Sequence, residues 1–453
     1  MRYRRLGLLL GLALIAVVVV STASASSGSK SAAIPVIKDL QARFTTTGGA
    51  KVLSTTNTLM HWHGTALDPD NGVTYGYNMV GADPYTCSGS GCDATIPTDI
   101  IPIDVIVDGV KFAAGPILQG TLDSPQFATN DYGSTDFATA AGSFPLAPAF
   151  IRGPGGVLSQ GDAGNQLQLE DATMRAQFNQ TGTSSYHLRL PVHPVVHPTL
   201  TLVVPPGAGT LLLSGRGVLF ASVSVVWWAT EIQNLNQTLS YIDPTHLPIY
   251  LTNSVLLYGP PDPTNCCVIG FHGASEVNGH GTGSTHGNGN QPVQTYAWAS
   301  WVRPGIYARP NGGTDWALQD IHALSHEIAE WGDDPFVNNT VEPWLTPTAP
   351  QYGCTKVLET GDPVVGIGFA IGHNTTDQTA NPWTSPTDHT PSVSYDGYYH
   401  PEDEVFLPWF MRTSPNNISE PVQSDPTNTD DGRYTLMGDL NPFDGFRAPA
   451  TGC

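Results

Sequence analysis

The alternation of apolar and polar positions predicts a chain rich in β-strands. From about residue 33 to residue 258, short runs of β-branched and aromatic residues are separated by turn residues, which is the pattern expected of strands. The predicted strands cover residues 101–112, 187–195, 199–204, 211–228 and 247–258. A turn rich in proline follows at 259–265, and two more strands are predicted over 267–272 and 294–301.

Helical spacing of apolar residues interrupts the strands at three places. Residues 166–178 carry leucine and alanine at intervals that would bury one helical face, and residues 229–241 are a second candidate. The third helix is predicted over residues 316–331 and lies in the C-terminal part of the chain. Strands and helices in this order indicate an α+β fold.

The helix predicted over 316–331 separates an apolar stripe from a polar stripe. Asp315 is its expected N-cap, and Gly332 and Pro335 are expected to end it. The apolar stripe comprises Ile321, Leu324, Ile328 and Trp331, and the polar stripe comprises His322, His326 and Glu330. The polar stripe either faces water, as in an ordinary amphipathic helix, or forms a site.

Three residues of this helix stand at catalytic spacing. In the H-E-x-x-H signature of zinc hydrolases, two ligands four residues apart share one helical face, and the glutamate after the first ligand acts on the metal-bound water. Here His326 and Glu327 match, and Glu330 replaces the second histidine. Carboxylate oxygens also bind zinc, at about 2.0–2.2 Å. We therefore predict that His326 and Glu330 are metal ligands and that Glu327 is the catalytic base.

A catalytic zinc ion needs a third protein ligand. Glu359 is the favoured candidate, because a glutamate downstream of the helix commonly completes such a pair. Asp362 and Asp334 are less favoured, and His322, one turn before His326, is a further option.

The N-terminus predicts export. Residues 1–25 contain three arginines, an apolar run and the small residues Ala23-Ser24-Ala25, as in a cleaved signal peptide. A twin-arginine signal and an uncleaved anchor are the alternatives. Removal of the three arginines changes the net charge from −21 to −24, which argues against nucleic acid and anionic membranes as partners. The expected location is secreted or periplasmic.

Six cysteines in an exported chain predict disulfides. Cys87 and Cys92 are expected to pair across a short flexible loop. Cys266 and Cys267 are adjacent and would not pair in trans geometry, so their expected partners are Cys354 and Cys453. Residues 68–72 and 425–432 faintly resemble calcium loops, so structural calcium is possible beside zinc, although turn chemistry explains the same residues.

Three segments resemble secreted microbial proteins of the zincin-metallopeptidase type. They are residues 323–336 with the sequence Ser-His-Glu-Ile-Ala-Glu-Trp followed by Asp-Pro-Phe, residues 358–363 with Leu-Glu-Thr-Gly-Asp-Pro, and the Tyr-His-Pro-Glu-Asp stretch at 399–403. The resemblance covers about residues 266–453 and implies a metal-dependent hydrolase. It implies that His326, Glu330 and Glu359 hold the metal and that Glu327 polarises the water and then protonates the leaving amine.

The same resemblance suggests how a peptide would bind. The strand predicted over 294–301 could be the sheet edge that a peptide substrate joins. His272, His373 and Tyr296 are unranked candidates for a donor to the transition-state oxyanion.

The sequence thus predicts a signal peptide over residues 1–25, a β-rich portion over 26–258 and a zincin-like, metal-binding portion over 259–453. The predicted function is an exported metal-dependent hydrolase, specifically a zinc peptidase acting on peptide or protein substrates. The alternative is a non-catalytic secreted binding protein on a zincin-like scaffold, with a partner protein or a polysaccharide as its ligand.

Overall fold

The apolar run that begins at Ile100 forms the central strand of the largest sheet. The computed structural model describes a defined set of residues. They are 36–37, 58–131, 166–180, 184–276, 292–307, 320–345, 354–365, 368–369, 371–376, 397–413 and 434–436. The predicted signal peptide and the possible calcium loop at 425–432 lie outside them. From Pro35 onward the chain forms one compact unit.

The described residues form a mixed α/β fold in which sheets dominate. The strands are β1 Val36–Ile37, β2 His61–Leu67, β3 Thr74–Val80, β4 Asp93–Thr95, β5 Thr98–Val107, β6 Val110–Phe112, β7 Asn130–Asp131, β8 Gln166–Leu167, β9 His187–Arg189, β10 Val195–Val196, β11 Leu200–Val203, β12 Gly209–Ser214, β13 Leu219–Ser224, β14 Leu247–Asn253, β15 Val255–Tyr258, β16 Cys266–Val268, β17 Gly270–Glu276, β18 Val293–Trp301, β19 Thr340–Leu345 and β20 Cys354–Val357. The helices are α1 Gly115–Leu122, α2 Leu169–Gln177, α3 Val225–Thr238, α4 His322–Asp333 and α5 Leu407–Phe410.

The main sheet has seven strands, and its principal order is β10-β5-β14-β18-β17. Strands β5, β14 and β18 are parallel, whereas β17 runs antiparallel to β18. Strand β5 is buried along almost its whole length, as expected of a parallel strand covered on both faces. A second sheet has the order β1-β12-β13-β15-β16.

The boundary predicted at residue 258 falls within the main sheet. Strands β5 and β14 lie before this residue and β18 and β17 lie after it. The β-rich portion and the C-terminal portion therefore contribute strands to one sheet.

Two of the predicted strands are divided in the structure. Residues 101–112 form the end of β5 and the whole of β6, joined by a turn at Asp108-Gly109 in which both residues have positive φ. Residues 211–228 form most of β12, the whole of β13 and the start of α3. The hydroxyl of Ser224 accepts a hydrogen bond from the Trp227 amide and caps that helix. The helix therefore begins before the predicted residue 229.

The predicted site helix is α4, with different ends. It begins at His322, because Asp320 and Ile321 form a bend in which the Asp320 carboxylate accepts hydrogen bonds from the amides of Ile321 and His400. Residues 308–319, with the expected cap Asp315, lie outside the described residues. At the other end Gly332 stays helical, and the helix ends at Asp333, just before Asp334 and Pro335.

The cysteine pairing differs in part from the prediction. Cys87 and Cys92 form a disulfide, as predicted. Cys266 and Cys267 are bonded to each other, so the expectation that each pairs elsewhere is wrong. The peptide bond between them is cis, which brings their Cα atoms to 3.0 Å and removes the objection that applies to a trans bond. Cys354 is disulfide-bonded as well.

Among the described residues, no helix is both long enough and apolar enough to cross a membrane.

Candidate metal centre

Helix α4 is buried on all sides, so its polar stripe does not face water. Each of its twelve residues from His322 to Asp333 is buried. The apolar side packs on the main sheet, where the indole N–H of Trp331 donates to the Thr295 hydroxyl at 3.0 Å. On the other side, His326 Nε2 lies 3.0 Å from Glu330 Oε1. The i, i+4 spacing thus places the two predicted ligands within reach of one cation.

Asp362 completes this group. Its Oδ1 lies 3.9 Å from His326 Nε2, and ligand atoms of His326, Glu330 and Asp362 all lie within 4.8 Å of one another. Asp362 opens a short 3₁₀ turn over Asp362–Val364, and 25% of its side chain is exposed. The structure therefore brings Asp362, the less favoured candidate, into the position expected of a third ligand.

Glu359, the favoured candidate, lies beside this group without joining it. It is buried, and neither carboxylate oxygen has a hydrogen-bond partner among the described residues. Burial, followed by repulsion from Glu330 and Asp334, raises its pKa well above the usual range. Glu359 is therefore close enough to interact electrostatically with Glu330. Asp362, in contrast, belongs to the group of potential ligand atoms that includes His326 and Glu330.

The remaining candidates face elsewhere. The carboxylate of Asp334 accepts hydrogen bonds from the amides of Asn338 and Asn339, which fixes the chain after α4. His322 lies one turn before His326, and its Nε2 is 2.9 Å from Glu402 Oε2. Neither residue belongs to a group of potential metal ligands among the described residues.

Glu402 contacts the ring nitrogen of His326 that points away from Glu330. It belongs to the Tyr-His-Pro-Glu-Asp stretch, to which the sequence analysis assigned no site residue. Its Oε2 lies 2.9 Å from His326 Nδ1 and 2.9 Å from His322 Nε2. The Glu402 amide donates to Ser325 Oγ at 2.9 Å, which attaches this segment to α4. A carboxylate on one ring nitrogen commonly orients a histidine whose other nitrogen binds metal. Here that other nitrogen, Nε2, is the one that faces Glu330 and Asp362.

A second histidine approaches α4 from strand β17. His272 Nδ1 lies 3.5 Å from Glu327 Oε2 and 3.4 Å from Glu330 Oε2. Its Nε2 lies 3.2 Å from the backbone oxygen of Asp334. His272, Glu327 and Glu330 form a second group whose ligand atoms lie within 4.8 Å of one another.

Two glycines allow this close packing. A Cβ atom on Gly270, the first residue of β17, would lie 2.5–3.0 Å from three atoms of the Glu327 carboxyl end. A Cβ atom on Gly361 would lie less than 3.0 Å from three atoms of the His326 ring. The sequence Gly361-Asp362 therefore provides both the space for His326 and the carboxylate that faces it.

Burial and close charges shift the titration of this cluster. Burial raises the pKa of Glu327 to about 7, against the lowering effects of His272 and His326. Burial would also raise the pKa of Glu330, but His326 and His272 hold it below its usual value. Burial disfavours the charged form of His272, yet its interactions with Glu327 and Glu330 raise its pKa to about 10.

Of the three candidate oxyanion donors, His272 is the one that lies at the site. His373 stacks on Tyr398 with ring centroids 5.8 Å apart, and Tyr296 is a buried residue of β18. The expectation that residues 294–301 form a sheet edge is wrong, because β18 lies between β14 and β17. Among the described residues, the edge strand beside α4 is β17.

The possible calcium loop at Asp68 uses its carboxylate within its own turn. Asp68 Oδ1 accepts from the Asp70 amide at 2.9 Å, and Oδ2 accepts from Asn71 Nδ2 at 3.2 Å. These are the hydrogen bonds of an Asx turn. Turn chemistry therefore accounts for these residues.

Comparisons with protein-family models, with curated proteins and with solved structures find no match to this chain.

Proposed function

We propose that the protein is a metal-dependent hydrolase whose first cation is held by His326, Glu330 and Asp362. The observation that carries this proposal is the buried i, i+4 pair on α4, joined by Asp362 and oriented by Glu402. One imidazole with two carboxylates is a donor set that zinc accepts, with an open position for water or substrate. We include export and a zincin-like C-terminal portion in the proposal.

The charge of the cluster supports a bound cation. Six buried or nearly buried carboxylates surround the site: Glu327, Glu330, Glu359, Asp362, Glu402 and Glu404. The strongest charge effects on Glu327, Glu330, Glu359, Asp362 and Glu404 come from other carboxylates and from His272 and His326, and none of these strongest effects comes from a lysine or arginine. Ionised carboxylates are costly to bury unless they are paired or bind metal. A divalent cation supplies the missing positive charge.

Glu327 is suited to proton transfer beside that cation. A bound divalent metal ion would lower the pKa of a coordinated water towards neutrality. Burial already raises the pKa of Glu327 to about 7, which is the range in which a general base works best near neutral pH. Its Oε1 has no hydrogen-bond partner among the described residues, so this oxygen is available to take a proton. The same carboxyl group would then donate that proton to the leaving amine.

The edge strand β17 supports a peptide as the substrate. An extended peptide can join a free sheet edge through its backbone hydrogen bonds. Strand β17 begins at Gly270, beside Glu327, and carries His272 next to α4. A peptide paired with β17 would therefore pass close to the base and the cation.

The test is to replace Glu327 with Gln. We expect Glu327→Gln to retain the cation at His326, Glu330 and Asp362 and to lose at least a hundredfold in the rate of peptide-library hydrolysis, because general base catalysis contributes about 10²–10⁴-fold. The matched control is Glu342→Gln, which changes a partly exposed glutamate beside Arg412 and should leave the rate unchanged.

Two further results would decide between the functions. Removal of metal with a chelator should abolish hydrolysis, and added Zn²⁺ should restore it. A wild-type protein that binds zinc but cleaves no peptide would contradict the peptidase proposal and favour the non-catalytic binding protein. A wild-type protein that binds no metal would contradict the metal site as well.

A further inference from the structure

We propose that the site holds two divalent cations, with Glu330 as a carboxylate bridge between them. This inference rests on the proposed function, because the first cation is the one at His326, Glu330 and Asp362. The second would be held by His272, Glu327 and Glu330, the other group of potential ligands at α4.

The two oxygens of Glu330 face different histidines. Oε1 lies 3.0 Å from His326 Nε2, and Oε2 lies 3.4 Å from His272 Nδ1. His272 and His326 do not share a group of ligand atoms within 4.8 Å, although each shares one with Glu330. This is the arrangement of a carboxylate that bridges two cations, with one histidine on each side.

The nitrogen of His272 that faces the carboxylates has no hydrogen-bond partner in the part of the chain that the structure describes. His272 is fully buried, and its Nδ1 makes no hydrogen bond to any described residue. An ion pair between imidazolium and carboxylate usually has a nitrogen-oxygen distance of about 2.7–2.9 Å. The distances of 3.4 and 3.5 Å to Glu330 and Glu327 are clearly longer.

Those longer distances are the ones expected for ligands of a common cation. With zinc-ligand bonds of about 2.0–2.2 Å in tetrahedral geometry, neighbouring ligand atoms lie roughly 3.3–3.6 Å apart. The distances from Nδ1 of His272 to Oε2 of Glu327 and to Oε2 of Glu330 match that spacing. A cation placed between them would satisfy the unpartnered nitrogen.

The other ring nitrogen of His272 is held as in known metal sites. Its Nε2 lies 3.2 Å from the backbone oxygen of Asp334, to which it can donate a hydrogen bond. A hydrogen bond from one ring nitrogen to a backbone oxygen fixes the tautomer and leaves the other nitrogen free to bind metal. His326 is held in the same way by the Glu402 carboxylate. In both histidines, one ring nitrogen faces Glu330. The other ring nitrogen lies against an oxygen atom, of Asp334 for His272 and of Glu402 for His326.

The first group of ligands leaves other carboxylates at the site for a second cation. It uses only Glu330 and Asp362 among them, so Glu327 remains as a ligand. Glu327 would hold the second cation through Oε2. Imidazole and carboxylate together suit Zn²⁺ and Mn²⁺.

The experiment is a count of bound Zn²⁺ per chain. The exported chain is stripped with a chelator, loaded with Zn²⁺, freed of excess ion and analysed for metal, and the same protein is titrated calorimetrically. We expect two Zn²⁺ per chain in the wild type, one in His272→Asn and one in Asp362→Asn. The matched control His187→Asn changes a partly buried histidine that pairs with Asp171, and it should keep two.

The outcomes separate the two proposals. One Zn²⁺ in the wild type, kept in His272→Asn and lost in Asp362→Asn, would overturn the second cation and leave the proposed function standing. One Zn²⁺ that is lost in both variants would mean a single shared ion and would also overturn the second cation. No bound Zn²⁺ would overturn both proposals. The wild-type count is decisive even if a variant does not fold.

Discussion

At the scale of single residues, the orientation of His326 depends on Glu402. This carboxylate accepts from Nδ1 of His326, so Nε2 is left facing Glu330 and Asp362. The same Glu402 oxygen lies 2.9 Å from Nε2 of His322, so the two histidines of α4 approach one carboxylate. Residues that orient metal ligands in this way affect binding without touching the metal.

Replacing Glu402 with Gln tests this role. The amide keeps the size of the side chain and can still accept a hydrogen bond, but it removes the negative charge beside His326. We expect Glu402→Gln to weaken Zn²⁺ binding about 10–100-fold, with the far-ultraviolet circular dichroism unchanged. Competition with a chromogenic chelator measures the affinity. Glu231→Gln on α3 is the control, and equal affinities in the two variants would contradict the role of Glu402.

The residues of the site could be predicted from the sequence only where they share a helix. His326 and Glu330 lie one turn apart on α4, so the helical period alone brings them together. Asp362, His272 and Glu402 come from a turn, a strand and a bridge segment, and no local spacing relates them to α4. The choice between Glu359 and Asp362 depends on which way a loop turns, and local spacing does not determine that.

At the scale of elements, the C-terminal end of α4 carries an electrostatic conflict. Asp333 and Asp334 stand where the helix dipole already places partial negative charge. Both are buried, and burial raises the pKa of Asp333 to about 8, against a hydrogen bond from Gln177. Gln177 also accepts from the Leu407 amide, so α2 connects the end of α4 to α5.

This conflict predicts a pH-dependent gain in stability for Asp333→Asn. The pKa of Asp333 is about 8 in the folded chain and about 3.9 in an unfolded one. Between these values the folded state holds a proton that the unfolded state releases, so the contribution of Asp333 to stability is present below pH 4 and is lost as the pH rises to 8. Asn resembles the protonated side chain at every pH.

We therefore expect Asp333→Asn to match the wild type near pH 4 and to exceed it by on the order of 1–2 kcal/mol at pH 8. Urea unfolding in the presence of a chelator, at several pH values, measures the difference. Asp108→Asn, in an exposed turn, is the control for the substitution itself. A difference between wild type and Asp333→Asn that does not change with pH would contradict the raised pKa.

Element types were more predictable than element ends. The apolar stripe of α4 and the helical spacing of apolar residues in α2 are local patterns, and both helices form where they were predicted. The ends depend on contacts that are distant in sequence. Helix α4 begins at His322 because the bend before it is bonded to His400, 80 residues later. The Asp-Gly pair at 108–109 is a local turn signal, and it divides residues 101–112 into two strands.

At the scale of the whole molecule, the N-terminal half supports the site. Strands β5 and β14 form the middle of the sheet that carries β18 and β17. The side-chain amide of Asn339, after α4, exchanges two hydrogen bonds of 2.8 Å with the backbone of Asn78 in β3. The carboxylate of Glu170 on α2 lies directly against Gly332. A division of the chain at residue 258 would separate the site from this support.

The sequence could not reveal this organisation, because strand order is not a local property. A run of apolar residues predicts a strand but does not say which strands are its neighbours. For this reason β18 was expected at the edge, whereas its neighbours β14 and β17 cover both of its sides.

The position of a bound metal ion tests the central claim most directly. Crystals of the exported chain soaked in Zn²⁺ and measured at the zinc absorption edge give that position from anomalous scattering. We predict a peak about 2.0–2.2 Å from Nε2 of His326 and from carboxylate oxygens of Glu330 and Asp362. No peak at α4 in fully soaked crystals, or a peak only at residues away from His326, would contradict the account.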